Sequence, residues 1–545
     1  MQVATYIATF ALFAVGIYFA WVRLQTVAAY FQQEEYDNAR FLRAWPALSL
    51  IDFKFTALVI ILAVVGLLTS WEFMGLSVAA GGGLALAILE HRGQASMKKP
   101  LVKTSRIMRI FWVAFAASLA VLIGLSLLDG KWAVVVMLQL APLMMIGGNL
   151  ATAGIQQREN QGYIDQAKAK LARYPGETIG ITGSFGKTTV KHALGDVLAQ
   201  LSTVYFSEGS INTVLGHTRH VRQRLQPAHR YFIAEMGAYG PGSIKRLCDF
   251  ADPDHAIITS IGLAHNERFK GLQTVARAKA ELAEHVGAKG GLVVLTQDVL
   301  SYEPFKAVAA QPGARVISVG DDAGQAADYC VSDIQVDAAG TALTLEGPKL
   351  DQPTRFSLPL LGAHNQDNLA LIAVLLLELG FGATQVQMAL GGVRPVPHRL
   401  QPKAGPNGSA ILDDAYNANP TGMRNAFELS AQMAADKGRQ AMAITPGITE
   451  LGEEHERVHA ELGAHAARLL DRVIAVTPER IESFVEGFED AQKAQKAEGG
   501  ESAGRLETAN SYLQARAMVD PDLGANDVLL IANDLPDLLG QRVWL

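Results

Sequence analysis

The stretch ETIGITGSFGKTTVKHALGDVLAQL, residues 177–201, decides the fold of the larger part of this chain. It begins with a short apolar run and a glycine-rich turn, and it continues with apolar residues at helical spacing from Val190 to Leu201. This order predicts a strand, a tight loop and an amphipathic helix. Such a loop suits an anion, because its backbone N–H groups and the helix N-terminus point at the same place.

The loop carries the residue types that phosphate binding needs. Glycines let the backbone approach phosphate oxygens, Lys187 can reach the β- and γ-phosphates of a nucleotide, and the Thr188 hydroxyl can ligate Mg²⁺. The spacing is one residue shorter than the common GxxxxGK[ST] pattern, and a plain strand-to-helix turn is the alternative. The candidate nucleotide ligands are Gly183, Ser184, Gly186, Lys187, Thr188 and Thr189.

Apolar strands alternate with helices beyond this stretch. The pattern predicts a parallel α/β sheet, with further strands at 231–235, 255–261 and 291–295 and a small antiparallel addition within 315–360. A second alternating set predicts a separate Rossmann-like domain, with strands at 409–414, 441–445, 472–476 and 527–532. A proline cluster marks the join, at Pro395, Pro397 and Pro402.

Polar residues follow the predicted strands where ligands of such sheets bind. Glu235 ends one strand, and His265 comes a few residues after another. Ligands of doubly wound sheets lie beyond the carboxyl ends of the strands, so both side chains are candidates for contact with phosphates and metal ions. Lys279 lies on a predicted helix. A lone Glu or His in such a place is usually a surface residue, and an exposed helix lysine is the alternative for Lys279.

The first 150 residues contain five apolar runs, at about 4–22, 55–72, 73–89, 110–128 and 132–150. Each approaches the roughly 20 residues that cross a bilayer, which predicts a bundle of about five transmembrane helices. A buried core helix is the alternative for any single run. The first run lacks a basic leader and a cleavage site, so we expect it to be retained.

Basic residues predict the orientation of these spans. Segment 91–109 holds six Lys and Arg residues and no acid, so we expect it on the cytoplasmic side. With five spans, everything after residue 150 is then cytoplasmic. Segment 23–53 is expected on the same side, either along the membrane interface or as an ordinary loop.

Composition narrows the function classes. The chain has 545 residues, which predicts several domains, and a net charge of −6, which argues against a nucleic-acid partner. Its two cysteines, Cys248 and Cys330, match no metal spacing and indicate a reducing compartment. The domains expected are a transmembrane region over 1–150, a connector over 151–176, an ATP-binding central domain over 177–395 and a C-terminal domain over 396–545.

Five motifs in one order resemble the Mur ligases. They are TGSFGKTT, EMGAYGPGSI, TSIGLAHNERF with ARAKAEL, GAHNQDNLA and DDAYNANPTGM, and they lie within about residues 177–480. Within that family the motifs look most similar to the MurF branch, which adds D-alanyl-D-alanine to a UDP-muramoyl tripeptide. The resemblance implies an ATP-dependent carboxylate–amine ligase that forms ADP and phosphate through an acyl phosphate, working in cell-wall biogenesis.

The resemblance also implies roles for individual residues. Lys187, Lys279, His265 and Arg399 would be catalytic, and two Mg²⁺ ions would be held by Thr188, Glu235, His265 and Lys279, the last as a carbamylated lysine. Nucleotide contacts would include the phosphate loop together with His364, Asn365, Asn368, Arg399 and Asp414. Tyr416, Asn417, Asn419 and Pro420 would complete the loop after Asp414.

The chain departs from the family pattern in three places. Membrane spans are expected where a soluble Mur ligase has its UDP-sugar domain. The stretch usually written GDMxELG is Pro446-Gly447-Ile448-Thr449-Glu450-Leu451-Gly452 here, and a later KGS motif is Ala532-Asn533-Asp534. The last two changes fall in the domain that should meet the incoming amine.

These departures shape the expected function. We expect a multi-pass protein of the bacterial inner membrane with cytoplasmic catalytic domains, acting on a cell-envelope or lipid-linked substrate. The alternatives are a membrane-bound poly-γ-glutamate-like synthase, a MurF-type enzyme, and a nucleotide-binding membrane scaffold without ligase activity. A transporter is disfavoured because the apolar runs hold almost no charged residues.

Overall fold

The structure is a computed structural model, and it describes residues 2–34, 36–44, 72–94, 100–262, 271–321, 327–337, 339–415, 419–435, 438–448, 451, 454–497 and 504–533. The chain divides into two compact units, an N-terminal unit that ends at Gln161 and a larger unit, Gly162–Asp534. Each unit is considered by itself.

The N-terminal unit is helical. Its described helices are α1 (Gln2–Gln33), α2 (Asn38–Ala44), α3 (Glu72–Gln94) and the first part of α4 (Ser105–Leu171). Large apolar side chains of these helices pack together, among them Phe31, Phe41 and Phe111, which are at most 2% exposed. A buried ion pair joins α1 to α3, with 3.1 Å between Arg23 Nη1 and Glu90 Oε2.

The prediction of a five-span bundle is wrong. Residues 110–150 lie in the single helix α4, about 60 Å of continuous helix, and therefore do not form two spans with an outer link at 129–131. Within the described ranges, two helical stretches are long and apolar enough to cross a membrane, Tyr6–Gln33 and Ser105–Gly124. Core helices of soluble proteins and signal sequences share those properties. The predicted run 55–72 falls almost entirely outside the described residues.

The physical reason is that hydropathy locates apolar runs and does not locate helix ends. Asp129, Gly130 and Lys131 interrupt the apolar run, but an interior glycine costs a helix only about 1 kcal/mol, so the backbone hydrogen bonds continue through it. The described part of segment 23–53 is likewise no simple loop, because α1 continues to Gln33 and α2 follows it. The predicted membrane orientation of the chain depended on five spans, so it is no longer supported.

The larger unit begins with a nine-stranded sheet whose order is β2-β3-β1-β4-β5-β6-β7-β8-β9. The strands are β1 (Glu177–Thr182), β2 (Val204–Phe206), β3 (Tyr231–Glu235), β4 (His255–Ile258), β5 (Leu292–Thr296), β6 (Arg315–Gly320), β7 (Tyr329–Asp337), β8 (Gly340–Glu346) and β9 (Thr354–Leu358). Pairing is parallel from β2 to β7 and antiparallel among β7, β8 and β9, which confirms the predicted antiparallel addition.

Helices cover both faces of this sheet. They are α5 (Lys187–Leu201), α6 (Val214–Gln223), α7 (Ser243–Ala251), α8 (Leu272–Ala288), α9 (Gln297–Leu300), α10 (Glu303–Ala309), α11 (Asn365–Glu378) and α12 (Ala383–Gly391). One apolar cluster contains α5 and α11, and a second contains α7 and α8. Strands such as β3 are buried along their whole length, as expected for a parallel sheet covered on both faces.

A six-stranded sheet follows, in the order β10-β11-β15-β12-β13-β14. Its strands are β10 (Gln401–Ala404), β11 (Ala410–Asp414), β12 (Ala441–Thr445), β13 (Arg472–Val476), β14 (Arg505–Ala509) and β15 (Val528–Ala532), and its helices are α13 (Pro420–Ala435), α14 (His455–Leu469), α15 (Glu482–Ala497) and α16 (Tyr512–Val519). All neighbours pair in parallel except β10 with β11. This confirms the predicted Rossmann-like arrangement.

The two sheets are linked by the segment that precedes β10. His398 and Leu400 have left-handed backbone conformations there, with φ of 59° and 46°. Leu400 and Leu361 are buried in the core of the six-stranded sheet, although Leu361 lies just before α11. Leu361 and the link segment therefore pack into the same core, that of the six-stranded sheet.

Candidate active site

The phosphate loop, residues 183–186, joins β1 to α5 at the carboxyl edge of the nine-stranded sheet. A Cβ atom at Gly183 would lie 1.8 Å from Thr259 Oγ1, and one at Gly186 would lie 2.6 Å from Asn368 Oδ1. Gly186 also has a φ of 80° and precedes the first residue of α5. It offers no capping side chain, so the first N–H groups of α5 stay available to a bound anion.

Residues just after β4 hold this loop in place. The N–H groups of Ser184 and Phe185 donate to the Ser260 carbonyl at 2.8 Å and the Ser260 hydroxyl at 3.0 Å. The Ser184 hydroxyl donates to the Gly262 carbonyl and accepts from the Gly262 N–H, both at 2.8 Å. The backbone N–H and the hydroxyl of Ser184 are thus both hydrogen-bonded within the protein. Its contact with a nucleotide stays a prediction.

Lys187 lies half-buried at the start of α5. Its Nζ donates to the carbonyl oxygens of Gly183 at 2.6 Å and Ser184 at 3.0 Å. Burial lowers the pKa of Lys187 to about 8, with Glu235 opposing that change and Arg399 adding to it. Because the Lys187 ammonium group contacts the phosphate loop itself, it would lie beside the oxygens of any phosphate bound there.

Glu235 ends β3, and only 1% of the residue is exposed. Its Oε1 accepts from Thr188 Oγ1 at 3.2 Å and from Asn212 Nδ2 at 3.4 Å. Thr188 Oγ1 also lies 3.1 Å from Ser210 Oγ. A hydroxyl beside a carboxylate oxygen is a ligand pair that Mg²⁺ favours, and Mg²⁺ usually completes its shell with substrate phosphates and water. These residues fit a magnesium ion.

Lys191 is a site residue that the sequence patterns did not single out. It is fully buried, and its Nζ lies 3.1 Å from Glu235 Oε2. It stands four residues after Lys187, so the two side chains project from the same face of α5. That spacing, in a helix whose other buried residues are mostly apolar, is the signal that could have found it.

Lys279 lies on α8 and is 4% exposed. Burial lowers its pKa well below the usual value, and the nearby charge of Lys187 lowers it further. The structure therefore places Lys279 close to the phosphate loop and favours the uncharged form of its amine. Within the ranges that the structure describes, no group of three or more His, Cys, Asp or Glu side chains could hold a metal ion.

The first turn of α11 forms another wall of the site. Asn365 Nδ2 donates to the Leu361 carbonyl at 2.7 Å, and Asn368 Nδ2 donates to Asn365 Oδ1 at 2.8 Å. Both asparagines are buried, and Asn368 touches the phosphate loop at Gly186. The pair therefore packs against the phosphate loop at Gly186.

Arg399 brings the link segment into the same site. Its charge helps to lower the pKa of Lys187. Burial lowers the pKa of His364 to about 4, and the charge of Arg399 contributes to that change. Asp414, at the end of β11, accepts from the Leu400 N–H at 3.2 Å. Burial raises the pKa of Asp414 to about 7, and Arg399 opposes that rise. Residues from both sheets are therefore close enough to share one electrostatic environment.

Several predicted residues lie outside the described part of the chain. His265, Tyr416 and Asn417 are among them. The Asn419 side chain accepts from the Gly422 N–H at 2.8 Å, and Pro420 begins α13, so these two residues form the start of a helix. Thr189 is buried in the first turn of α5.

Two family models match the chain, the Mur ligase middle domain over residues 181–377 and the Mur ligase, glutamate ligase domain over residues 398–533. A UDP-N-acetylmuramoyl-tripeptide–D-alanyl-D-alanine ligase of Mycobacterium tuberculosis (strain CDC 1551 / Oshkosh) is 31% identical over 401 residues, which cover 70% of this chain and 76% of that protein. The chain belongs to the Mur ligase family. It is an ATP-dependent amide ligase that forms ADP and phosphate.

Other Mur ligases are similar to the chain in sequence or in fold. The protein of the same name from Mycobacterium bovis is 32% identical over 340 residues, which cover 59% of this chain and slightly under two thirds of that protein, 65%. A crystal structure of MurF from Acinetobacter baumannii shares the fold, with a TM-score of 0.59, 24% identity and coverage of 69% of this chain and 78% of that one.

The two departures in the C-terminal domain of this Mur ligase lie together. Asn533 Nδ2 donates to the Gly447 carbonyl at 2.7 Å, and the Ile448 N–H donates to His459 Nε2 at 3.0 Å. His459 in turn bonds through Nδ1 to the His455 carbonyl at 2.8 Å. Gly447 and Asn533 therefore brace each other at the carboxyl ends of β12 and β15, whereas Glu450 and Asp534 lie outside the described residues.

Proposed function

We propose that this Mur ligase converts a substrate carboxylate and ATP into an acyl phosphate and ADP, and that the acyl phosphate then reacts with an amine. The observation that carries the proposal is the meeting of the phosphate loop, the Thr188–Glu235 pair and the Arg399 charge at one place. In the first step a carboxylate oxygen attacks the γ-phosphorus and ADP leaves. In the second step the amine attacks the acyl carbon, phosphate leaves, and the nitrogen loses a proton.

The protein contributes positioning and charge to both steps. Lys187 and Arg399 neutralise the phosphate oxygens on which negative charge develops, and such fixed charges act strongly in a site that excludes water. Thr188 and Glu235 would hold a Mg²⁺ ion, which supplies further neutralisation of the phosphates when bound. No nucleophilic side chain is required, because the substrate carboxylate itself attacks.

A second Mg²⁺ site would involve His265 and a carbamylated Lys279. The support is the burial of Lys279, since only an uncharged amine can react with CO₂ to form a carbamate. Removal of dissolved CO₂ and bicarbonate should then lower the rate of ATP-dependent phosphate release, and their return should restore it. An unchanged rate would remove the carbamate from the proposal.

For the substrates, we propose UDP-N-acetylmuramoyl tripeptide and D-alanyl-D-alanine. The curated relatives at 31% and 32% identity, whose names state those substrates, support this choice. The sequence motifs allow these substrates as an alternative, and the relatives support them better than a lipid-linked substrate. The site would then act in peptidoglycan synthesis from the cytoplasm.

The test is phosphate release by the full chain, purified in detergent, with ATP, Mg²⁺, UDP-N-acetylmuramoyl tripeptide and D-alanyl-D-alanine. We expect release that needs all components, a product heavier by the dipeptide minus water, and no release by Lys187→Met. Release with a lipid extract and amino acids instead would contradict the proposed substrates. A processive single-amino-acid product would indicate a polymerase, and ATP binding without any release would indicate a scaffold.

The second candidate is the same ligation on a lipid-linked acceptor at a membrane. It is supported by the two apolar helical stretches Tyr6–Gln33 and Ser105–Gly124 in a unit that precedes the family matches. Apolar side chains of α1 face outward, including Tyr6 and Phe10, which are 73% and 74% exposed.

A matched pair of variants tests the membrane association. Phe10→Glu should move the full chain from pelleted membranes into the soluble fraction, because a charge in an apolar membrane-facing position is costly. Leu513→Glu, at a residue of the C-terminal domain that is 77% exposed, should leave the distribution unchanged. Equal distributions for the two variants and the parent chain would count against the anchor.

A further inference from the structure

Lys191 carries a buried positive charge that the ligation chemistry described above does not use. The residue is 0% exposed, and its ammonium group has three partners. It lies 3.1 Å from Glu235 Oε2 and 3.4 Å from Ser207 Oγ, and it donates to the Gly209 carbonyl. Because an isolated buried charge is very costly, a lysine so placed is held there by specific contacts.

Two of these partners belong to the loop 207–213, which lies between β2 and α6. Further along the same loop, Ser210 contacts Thr188 at 3.1 Å and Asn212 donates to Glu235 Oε1 at 3.4 Å. Lys191 therefore fixes one end of the loop while the other end contacts both proposed magnesium ligands. The same ammonium group contacts Glu235 Oε2, whereas Glu235 Oε1 accepts from Thr188 and Asn212.

We propose that Lys191 is a positioning residue for the magnesium site. It holds Glu235 Oε2 and the loop 207–213, and this directs Glu235 Oε1 and the Thr188 hydroxyl toward the metal. The proposal rests on the proposed role of Thr188 and Glu235 as Mg²⁺ ligands. A partner that orients a metal ligand in this way typically changes metal affinity or activity by roughly 10- to 100-fold when it is removed.

A simple counter-ion role predicts the opposite sign. If Lys191 only neutralised Glu235, its removal would leave a more negative site, and Mg²⁺ would bind at lower concentration. If Lys191 positions Glu235, its removal disorders the ligand pair, and more Mg²⁺ is needed. The direction in which the Mg²⁺ requirement changes therefore distinguishes the two roles.

The experiment uses the full chain with three substitutions. Lys191→Met removes the charge and keeps most of the side-chain length, whereas Lys191→Arg keeps the charge and changes its shape. Lys245→Met is the matched control, because the Lys245 side chain is 70% exposed and its Nζ lies 3.4 Å from Asp249 Oδ1 on the surface of α7. Binding of fluorescent ADP is measured by titration, first without metal and then across a range of Mg²⁺ concentrations. Hydrogen exchange of the loop 207–213 is followed in parallel.

We expect Lys191→Met to bind ADP without metal within about twofold of the parent chain and to need on the order of tenfold more Mg²⁺ for the metal-dependent gain in affinity. Exchange in the loop 207–213 should become faster. Lys191→Arg should also need more Mg²⁺, and Lys245→Met should match the parent. A lower or unchanged Mg²⁺ requirement in Lys191→Met, or parent-like behaviour of Lys191→Arg, would overturn the proposal.

Two further arms keep the outcome decisive. If Lys191→Met does not fold, as judged by thermal unfolding, Lys191→Arg alone decides the question, because it retains the buried charge. Glu235→Gln tests the underlying metal site separately. If Glu235→Gln keeps the parent Mg²⁺ response, the assignment of Glu235 as a metal ligand fails and the positioning role of Lys191 fails with it. If Glu235→Gln loses the response while the Lys191 variants keep it, only the role of Lys191 is refuted.

Discussion

Substitution of Gly186 by alanine should weaken nucleotide binding more than it weakens the fold. Gly186 has a φ of 80°, and a Cβ atom there would lie 2.6 Å from Asn368 Oδ1. A left-handed conformation costs a non-glycine residue about 1–2 kcal/mol. The added methyl group must also displace Asn368 or the loop.

The second cost follows from the surroundings of Asn368. Its Nδ2 donates to Asn365 Oδ1 at 2.8 Å, and both side chains are buried. Loss of a buried hydrogen bond that leaves a polar group unsatisfied costs about 1–3 kcal/mol. If the loop moves instead, the binding free energy of the phosphates becomes less favourable by a similar amount. This corresponds to an ADP affinity lower by roughly fivefold to a hundredfold.

Gly313→Ala provides a closely matched control. Gly313 has a φ of 83°, and a Cβ atom there meets nothing within 4 Å. It lies in the turn before β6, away from the phosphate loop, so Gly313→Ala incurs only the conformational strain. Isothermal titration of both variants with Mg²⁺–ADP, together with thermal unfolding, separates strain from contact.

We expect ADP affinity to fall in Gly186→Ala and to stay within about twofold of the parent in Gly313→Ala, while both variants unfold at lower temperature. Equal ADP affinities for the two variants would refute the reasoning, because they would show that the contact with Asn368 does not matter.

Three further predictions concern charge and packing in the nucleotide-free chain. Burial lowers the folded-state pKa of Lys187 to about 8 from 10.5, so Lys187→Met should be more stable than the parent at pH 7, and denaturant titrations should show that advantage shrinking as pH rises from 8 to 10.5. Burial raises the folded-state pKa of Asp414 to about 7 from 3.8, so the parent chain should become less stable as pH rises from about 4 to about 7. Asp414→Asn should lack that loss of stability, and identical pH profiles for the two proteins would contradict the burial of Asp414. Asn533→Ala should lower the unfolding free energy by about 1–3 kcal/mol, because it removes the buried hydrogen bond to the Gly447 carbonyl, whereas Asn510→Ala, at an exposed position, should have little effect.

Much of the fold could be predicted from local sequence. The strands expected at 177–182, 231–235, 441–445 and 472–476 occur with those bounds, because each is an apolar run bounded by polar or glycine-containing turns. The strand expected over 255–261 ends at Ile258 instead. Thr259 and Ser260 leave the sheet and hold the phosphate loop, a use that no pattern of apolar residues reveals.

The N-terminal region shows the limit of hydropathy. Two of the apolar runs, 110–128 and 132–150, are parts of one helix. Whether a helix continues through a polar interruption depends on backbone hydrogen bonds and on what packs around it. A count of apolar residues contains neither.

The sequence by itself determined the phosphate loop, since its strand, glycines, lysine and helix are adjacent in the chain and form one local unit. The motif series likewise indicated Glu235, Lys279, Asn368 and Arg399 as site residues. Only the tertiary structure brought Lys191 against Glu235, because that contact depends on β3 lying next to β1. A buried ion pair between residues 44 positions apart follows from the order of strands in the sheet, and strand order is a property of the whole fold.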